Sequence, residues 1–412
     1  MAFRKLAATP IALALLFAAC SGATHGKPIF RVARVVPAGA DTLVVGLART
    51  SGKTERCADE RGYVDDFAVA RVARDGHVRS VSSLSHERLH GCVGQISSAL
   101  LQPDGALLLS GWVLHPGESG GYQVPVVTRF RRGDGVDDGF GNDGLVGTGE
   151  PAAELALAPD GTIVTAAGSR LGRDGSLEPF RASVPGSRYG EAIAPLPGGG
   201  FVVAVIQGQE DVLLAAFERN GRPDPSFGRN GRATARFAPA GAGYRQLLDL
   251  VADPAHGKLL VLGTFVPAGA DYRYVVYRFG IDGQFERSFA VDPGLGRHAI
   301  TSRVAIQADG KVVALGAVVV GERNKLFVAR YTAEGRRDRG FGRAGVVLLD
   351  LARASQFLDY EAAGAVLADG KLVVAGSAAT RNTLVYRLRS DGSLDRTFAR
   401  GGRLQLRTLR AR

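Results

Sequence analysis

His86-Glu87-Arg88-Leu89-His90 carries two imidazoles four residues apart, with a glutamate beside the first. On an α-helix that spacing puts both rings on one face, where they can hold zinc while the glutamate activates a water for hydrolysis. The flanking residues oppose a helix. "RSVSSLS" before the pair favours strand or loop, and Gly91 and Gly94 stop any helix within a turn. Val93 and Ile96 stand where an extended zinc motif needs Gly and a third His, and the nearest other ligand, Glu118, lies in the loop-like "HPGESGG". A zinc peptidase is therefore the remotest alternative. A divalent-metal site on His86 and His90 is the reading kept, because neighbouring imidazoles collect zinc or copper readily.

The surrounding sequence is a repeat. Six segments share one phrase, among them "SSALLQPDGALLLSG", "VAIQADGKVVALG" and "AGAVLADGKLVVAG", with turn glycines Gly105, Gly161, Gly199, Gly257, Gly310 and Gly370. A weaker copy starts at Phe30. Each phrase is two apolar runs joined by a D-G or G-G type turn, the signal of a β-hairpin. A second phrase follows, as in "VARYTAEGRRDRGFGRAG": a third strand, a turn at Gly135, Gly175, Gly221, Gly283, Gly335 or Gly392, then an aromatic at Phe140, Phe180, Phe227, Phe289, Phe341 or Phe398. A further run usually comes after it. The first copy turns at Gly76 and lacks the aromatic phrase.

Four short strands per unit, repeated about seven times, predict an all-β β-propeller of seven blades of about four antiparallel strands. A solenoid would fit locally, but the end units show no polar capping repeat. One blade is abbreviated, since fourteen positions separate Gly161 from Gly175 against twenty-five between Gly310 and Gly335. That blade is expected to lack strands. Periodic Phe residues are expected to pack between blades, and Asp104, Asp160, Asp309, Asp369 and Asp391 to shape turns. "GDGVDDGFGNDG", with Asp134, Asp137, Asp138 and Asp143, is the nearest thing to a calcium loop, at the wrong spacing.

The units around Gly310 to Gly345 and Gly370 to Gly402 resemble the delta-60-type repeats of bacterial proteins, and the resemblance covers most of residues 98 to 403. It implies repeat architecture and no particular chemistry.

The N-terminus has the layout of an export signal: Arg4 and Lys5, an apolar run, then Ala18-Ala19-Cys20. Phe17-Ala18-Ala19-Cys20 resembles the lipobox of bacterial lipoproteins, departing from it at Phe17. The resemblance implies a signal peptide over 1–19, lipid attachment at Cys20 and a tether over 20–27, and the repeats make 28–412 a single propeller domain. Ser21 in place of Asp implies an outer-membrane address. In an exported chain the remaining Cys57 and Cys92 most simply form a disulfide.

Lys and Arg number 51 against 40 Asp and Glu, a net charge of +11 that falls to +9 once Arg4 and Lys5 leave. The arginines are scattered rather than striped, which with an exported address excludes nucleic acid. The single Trp112 excludes propellers with a docked Trp in nearly every blade. No nucleophile elbow, Walker loop or Rossmann fingerprint is present in a fitting context. The expectation is a lipid-anchored binding or scaffold module of the bacterial cell envelope, monomeric and without cofactor, whose partner is an envelope protein or a glycan. The alternative is a lyase- or hydrolase-type enzyme with its site in the central channel. Carboxylates, His and Arg converging at the channel would favour the enzyme.

Overall fold

The structure, a computed structural model, describes residues 30–406 apart from 52–62, 90, 116–121, 133–134, 150–153, 159, 179, 181–183, 185–191, 209–210, 240, 297–298, 354–359 and 379–382. It forms seven four-stranded antiparallel sheets, each pairing its strands in chain order. Blade 1 holds β1 (Phe30–Ala38), β2 (Asp41–Ser51), β3 (Tyr63–Val72) and β4 (Val78–Leu84). Blade 2 holds β5 (Cys92–Leu101), β6 (Leu107–His115), β7 (Tyr122–Phe130) and β8 (Leu145–Gly147). Blade 3 holds β9 (Leu155–Leu157), β10 (Ile163–Thr165), β11 (Arg170–Leu171) and β12 (Leu177–Glu178). Blade 4 holds β13 (Ala192–Pro195), β14 (Phe201–Gln207), β15 (Asp211–Phe217) and β16 (Arg232–Arg236). Blade 5 holds β17 (Arg245–Asp253), β18 (Lys258–Phe265), β19 (Arg273–Gly280) and β20 (Phe285–Ala290). Blade 6 holds β21 (Ile300–Ile306), β22 (Val312–Val320), β23 (Arg323–Tyr331) and β24 (Val346–Arg353). Blade 7 holds β25 (Tyr360–Val366), β26 (Leu372–Ala378), β27 (Leu384–Leu388) and β28 (Arg403–Gln405).

The abbreviated unit has all four strands after all. Each is only two or three residues long, so the short spacing shortened the strands instead of deleting one.

The turns also differ in detail from a two-residue D-G hairpin. Gln102 N–H bonds to the Ala106 carbonyl at 2.8 Å across a three-residue loop, and only the glycine, at φ 86°, is left-handed. Asp104 does another job: its carboxylate accepts the N–H two residues on, at 2.9 Å, as do Asp160, Asp309, Asp369 and Asp391 in their own turns.

First strands touch in the cycle β1, β5, β9, β13, β17, β21, β25 and back to β1, so they line the central channel and the ring is closed. Among the described residues no strand is exchanged between the chain ends, since blade 1 is wholly N-terminal and blade 7 wholly C-terminal. Side chains and loops make the joint. Thr383 donates from N and Oγ1 to the Phe30 carbonyl at 3.2 and 2.6 Å, and Ala399 N–H reaches the Asp75 carbonyl at 2.6 Å. One apolar cluster, including Phe30, Val44, Val373 and Phe398, spans both blades.

The periodic Phe residues pack between blades as expected. A Cβ on Gly221 would lie 2.3 Å from the Phe180 ring, and one on Gly335 would lie 2.4 Å from Phe289. Each ring therefore sits against the turn glycine of the next blade, where any larger residue would collide with it.

A second interblade device shows in the sequence only as a recurring arginine, without its acceptor. The third strand carries an arginine five residues before its turn glycine in blades 1, 3, 5, 6 and 7, and six before it in blade 2. Arg71, Arg129, Arg170, Arg278, Arg330 and Arg387 donate to the carbonyls of Arg132, Arg173, Arg219, Ala333, Ser390 and Arg74, each in the following blade. In blades 2, 6 and 7 the same arginine pairs with an acid three residues before the Phe and covers the ring. Arg330 lies 2.9 Å from Asp338 and 4.6 Å from the Phe341 centroid, and Arg387 lies 2.8 Å from Asp395 and 4.8 Å from Phe398. Blade 4 has Ala216 at this position, and a cavity of about 410 Å³ lined by Ala216, Pro223 and Arg229 adjoins it.

Candidate functional site

The residues first singled out fall as follows. His86 lies between β4 and β5, in the connection joining blades 1 and 2. Residues 86–89 form a turn, with Leu89 N–H bonded to the Ser85 carbonyl at 3.2 Å, and no helix is present there to set two imidazoles on one face. The His86 ring is buried, and its Nδ1 lies 3.0 Å from Asp66 Oδ1, while Nε2 is buried without a partner among the described residues. His90, Cys20, Cys57 and Glu118 lie outside the described residues, and Cys92 opens β5. Among the described residues no three His, Cys, Asp or Glu side chains cluster to hold a metal. In the acidic loop, Asp137 is paired to Arg129 at 2.7 Å and Asp138 to Arg88 at 2.6 Å, so neither is a free ligand.

Charge converges instead in the channel. Arg34 of β1, Glu154 just before β9, Asp249 of β17 and Arg303 of β21 come from blades 1, 3, 5 and 6. Arg34 Nη2 lies 3.7 Å, and Arg303 Nη1 4.0 Å, from the same Oε1 of Glu154. Blades that are not neighbours can meet this way only across the ring centre.

Local structure explains how those side chains are aimed. First strands bulge between Val32 and Arg34, Ile96 and Ser98, Leu247 and Asp249, and Thr301 and Arg303. A bulge inserts one residue and re-aims the side chain after it. The bulge needs a bare partner on the second strand. A Cβ on Gly46 would lie 1.9 Å from the Arg31 carbonyl oxygen, and one on Gly316 would lie 1.9 Å from that of Ile300. The glycine that closes the repeated "VVAG"-like run is thus what lets an arginine face the channel. Unbulged blades 4 and 7 place Ala192 and Ala363 at the same register.

The four side chains keep 14 to 20% of their surface, which for innermost strands is exposure to the channel. Burial first, and Asp249 second, push the Glu154 carboxyl up to about 7, against the pull of Arg303, Arg34 and the Ile193 N–H. Burial, then repulsion from Arg303, lowers the Arg34 guanidinium to about 9, which leaves it charged at neutral pH. Sequence reading missed this site. Its only signal was that three inner strands carry a charge where the others carry small or apolar residues.

The fold and its closed ring define the chain as a seven-bladed β-propeller. Residues 307–341 and 367–398 match the family described as "Domain of unknown function (DUF5122) beta-propeller". No curated protein matches the chain. Among solved structures it is similar to a quinoprotein alcohol dehydrogenase-like protein from Bacteroides thetaiotaomicron VPI-5482, at 8% identity and a TM-score of 0.45, covering 79% of this chain and 66% of that one. It is similar to the polysaccharide lyase Uly1 at 11% identity and a TM-score of 0.42, covering 87% and 90%. It is similar to Trypanosoma rangeli sialidase at 14% identity and a TM-score of 0.37, covering 88% of this chain and 53% of that chain. The chain thus spans about two thirds of the first and half of the last. Likeness of this degree is one of fold alone.

Proposed function

We propose that the chain is an exported, lipid-anchored propeller of the delta-60 repeat type that acts as a binding or scaffold module at the bacterial cell envelope, with the charged channel centre contacting its ligand. The convergence of Arg34, Glu154, Asp249 and Arg303 across the ring carries the ligand-binding part of this reading. The signal-like N-terminus ending at Cys20 supports the anchor, and Ser21 an outer-membrane address. Three acyl chains at Cys20 give firm retention where one gives only marginal binding. No helix among the described residues is long and apolar enough to cross a membrane.

The body begins at Phe30 on an innermost strand, so the tether joins it beside the channel, on the face opposite the tight turns. Ten residues reach at most about 35 Å, which holds that face near the membrane. An envelope protein or a glycan is the partner, and the protein works as a monomer without nucleic acid. The same reading pairs Cys57 with Cys92, and a thiol titration of the unfolded, unreduced protein is expected to find neither free.

Labelling with a lipid precursor should mark the wild type and not Cys20→Ala. Label absent from both sinks the anchor. For the binding role, the anchored protein should co-purify an envelope component that Arg303→Gln releases.

A second reading, an enzyme with its site in the channel, is favoured by Glu154, whose carboxyl near pH 7 suits proton transfer at operating pH. Turnover of an envelope glycan abolished by Glu154→Gln, with the fold intact, would establish it.

A further inference from the structure

The ion pairs of the channel are loose. Arg34 and Arg303 stand 3.7 and 4.0 Å from Glu154 Oε1, and Arg303 stands 3.9 Å from Asp249 Oδ1. Charge-assisted hydrogen bonds run about 2.7 to 2.9 Å, and elsewhere in the ring the pairs do close, with Arg387 at 2.8 Å from Asp395. A cluster serving only to neutralise itself would be expected to close in the same way.

The donors of the two arginines go to backbone instead. Arg34 bonds the carbonyls of Ala33 and Ser97, and Arg303 bonds that of Leu248 at 2.7 Å. A guanidinium carries five N–H groups in a planar fork, so each keeps donors without a partner among the described residues. The acids are held from behind: Asp249 Oδ2 accepts the Val304 N–H at 3.0 Å, and Glu154 accepts from Ile193. Two forks, from blades 1 and 6 on either side of blade 7, thus face the same Glu154 carboxylate.

The geometry points to a seat for a small carboxylate ligand at the centre of the channel, between the guanidinium forks of Arg34 and Arg303 and beside the carboxyl group of Glu154. This rests on the reading of the channel as the ligand-contacting site. Planar carboxylates match the fork with two parallel bonds.

Charge sets the condition for occupancy. With Glu154 and Asp249 both ionised, the cluster is neutral and an incoming anion meets two carboxylates. A proton on Glu154 leaves one net positive charge and adds an O–H donor. The surrounding groups are Arg34 from β1, Ser98 from β5, the Ile193 N–H from β13, Asp249 from β17 and Arg303 from β21. On β25, Ala363 holds the equivalent position and Glu361 is bonded to Ser377 at 3.2 Å. Because the Glu154 carboxyl titrates at about 7, occupancy changes around neutral pH.

The test uses the full mature chain with glycolate as probe, its neutral twin glycolamide, and sulfate, at constant ionic strength. Glycolate should raise the thermal midpoint where glycolamide and sulfate do not. Its apparent affinity should be about tenfold higher at pH 6 than at pH 8, following the protonated fraction of Glu154. Arg303→Gln should abolish the response. Glu154→Gln, which keeps the neutral shape, should bind at pH 8 as the wild type does at pH 6, and it carries the test if the arginine variant does not fold. Equal binding at both pH values in the wild type, or an equal response to sulfate, overturns the proposal. Loss of the co-purified envelope component in Arg303→Gln without any glycolate binding would sink the ligand class and leave the channel reading standing.

Discussion

Arg387→Ala should be among the most damaging single substitutions in this protein, lowering the unfolding free energy by about 3 to 5 kcal/mol. Arg387 and Asp395 are both at least 96% buried, and the arginine also covers Phe398 and donates to the Arg74 carbonyl across the joint between blades 7 and 1. Removing it leaves a buried carboxylate short of its arginine at the seam where the first and last blades of the chain meet. Burial works against the charge of Asp395, but Thr397, Lys371 and Arg387 together hold its carboxyl well below the usual carboxylate range. A group depressed in the folded state contributes stability above its unfolded value near pH 4, and that stability is lost as pH falls further.

The seam therefore predicts more than a lower midpoint. In denaturant titrations monitored by circular dichroism, the gap between wild type and Arg387→Ala should narrow below pH 4. Adding Asp395→Asn to the variant should restore part of the loss, because much of the cost is a buried carboxylate left with Lys371 as its one remaining ion-pair partner among the described residues. Arg278→Ala, whose partner Glu286 is a quarter exposed, should cost only about 1 kcal/mol. Equal losses for the two arginines would show that burial of the pair is not what holds the seam.

The second large effect has the opposite sign. Glu154→Gln should stabilise the protein by on the order of 3 kcal/mol above pH 7 and leave it unchanged below about pH 4.5. The Glu154 carboxyl rises to about 7 in the folded chain, so the folded state binds more protons than the unfolded one between those limits. Stability of the wild type thus falls as pH rises through this window, and glutamine removes the group that ionises. Thermal midpoints across pH 4 to 9 decide it, and a wild-type-to-variant difference that does not vary with pH is the contrary result.

The His86 motif illustrates where pattern and context part. Its spacing suggested a metal helix, while the glycines after it and the serines before it pointed to a connection, and the turn at residues 86–89 agrees with the local chemistry. What the motif could not disclose is Asp66, a residue of β3 twenty positions earlier that takes the His86 ring.

Seven blades, their turns and their interblade Phe residues were readable from the sequence, because hairpin pairing joins residues close in the chain and each unit repeats the same local signals. The arginine staple was half readable. Its residues recur at nearly fixed places, but its acceptor is a backbone carbonyl 44 to 61 positions away or, for Arg387, 313 positions away. Arg34, Glu154, Asp249 and Arg303 looked like four scattered charges in a chain rich in scattered charges. Only closure of the ring brings them together, since the bulges that aim Arg34, Asp249 and Arg303 act within single blades and their meeting point is the ring axis, which no blade possesses alone.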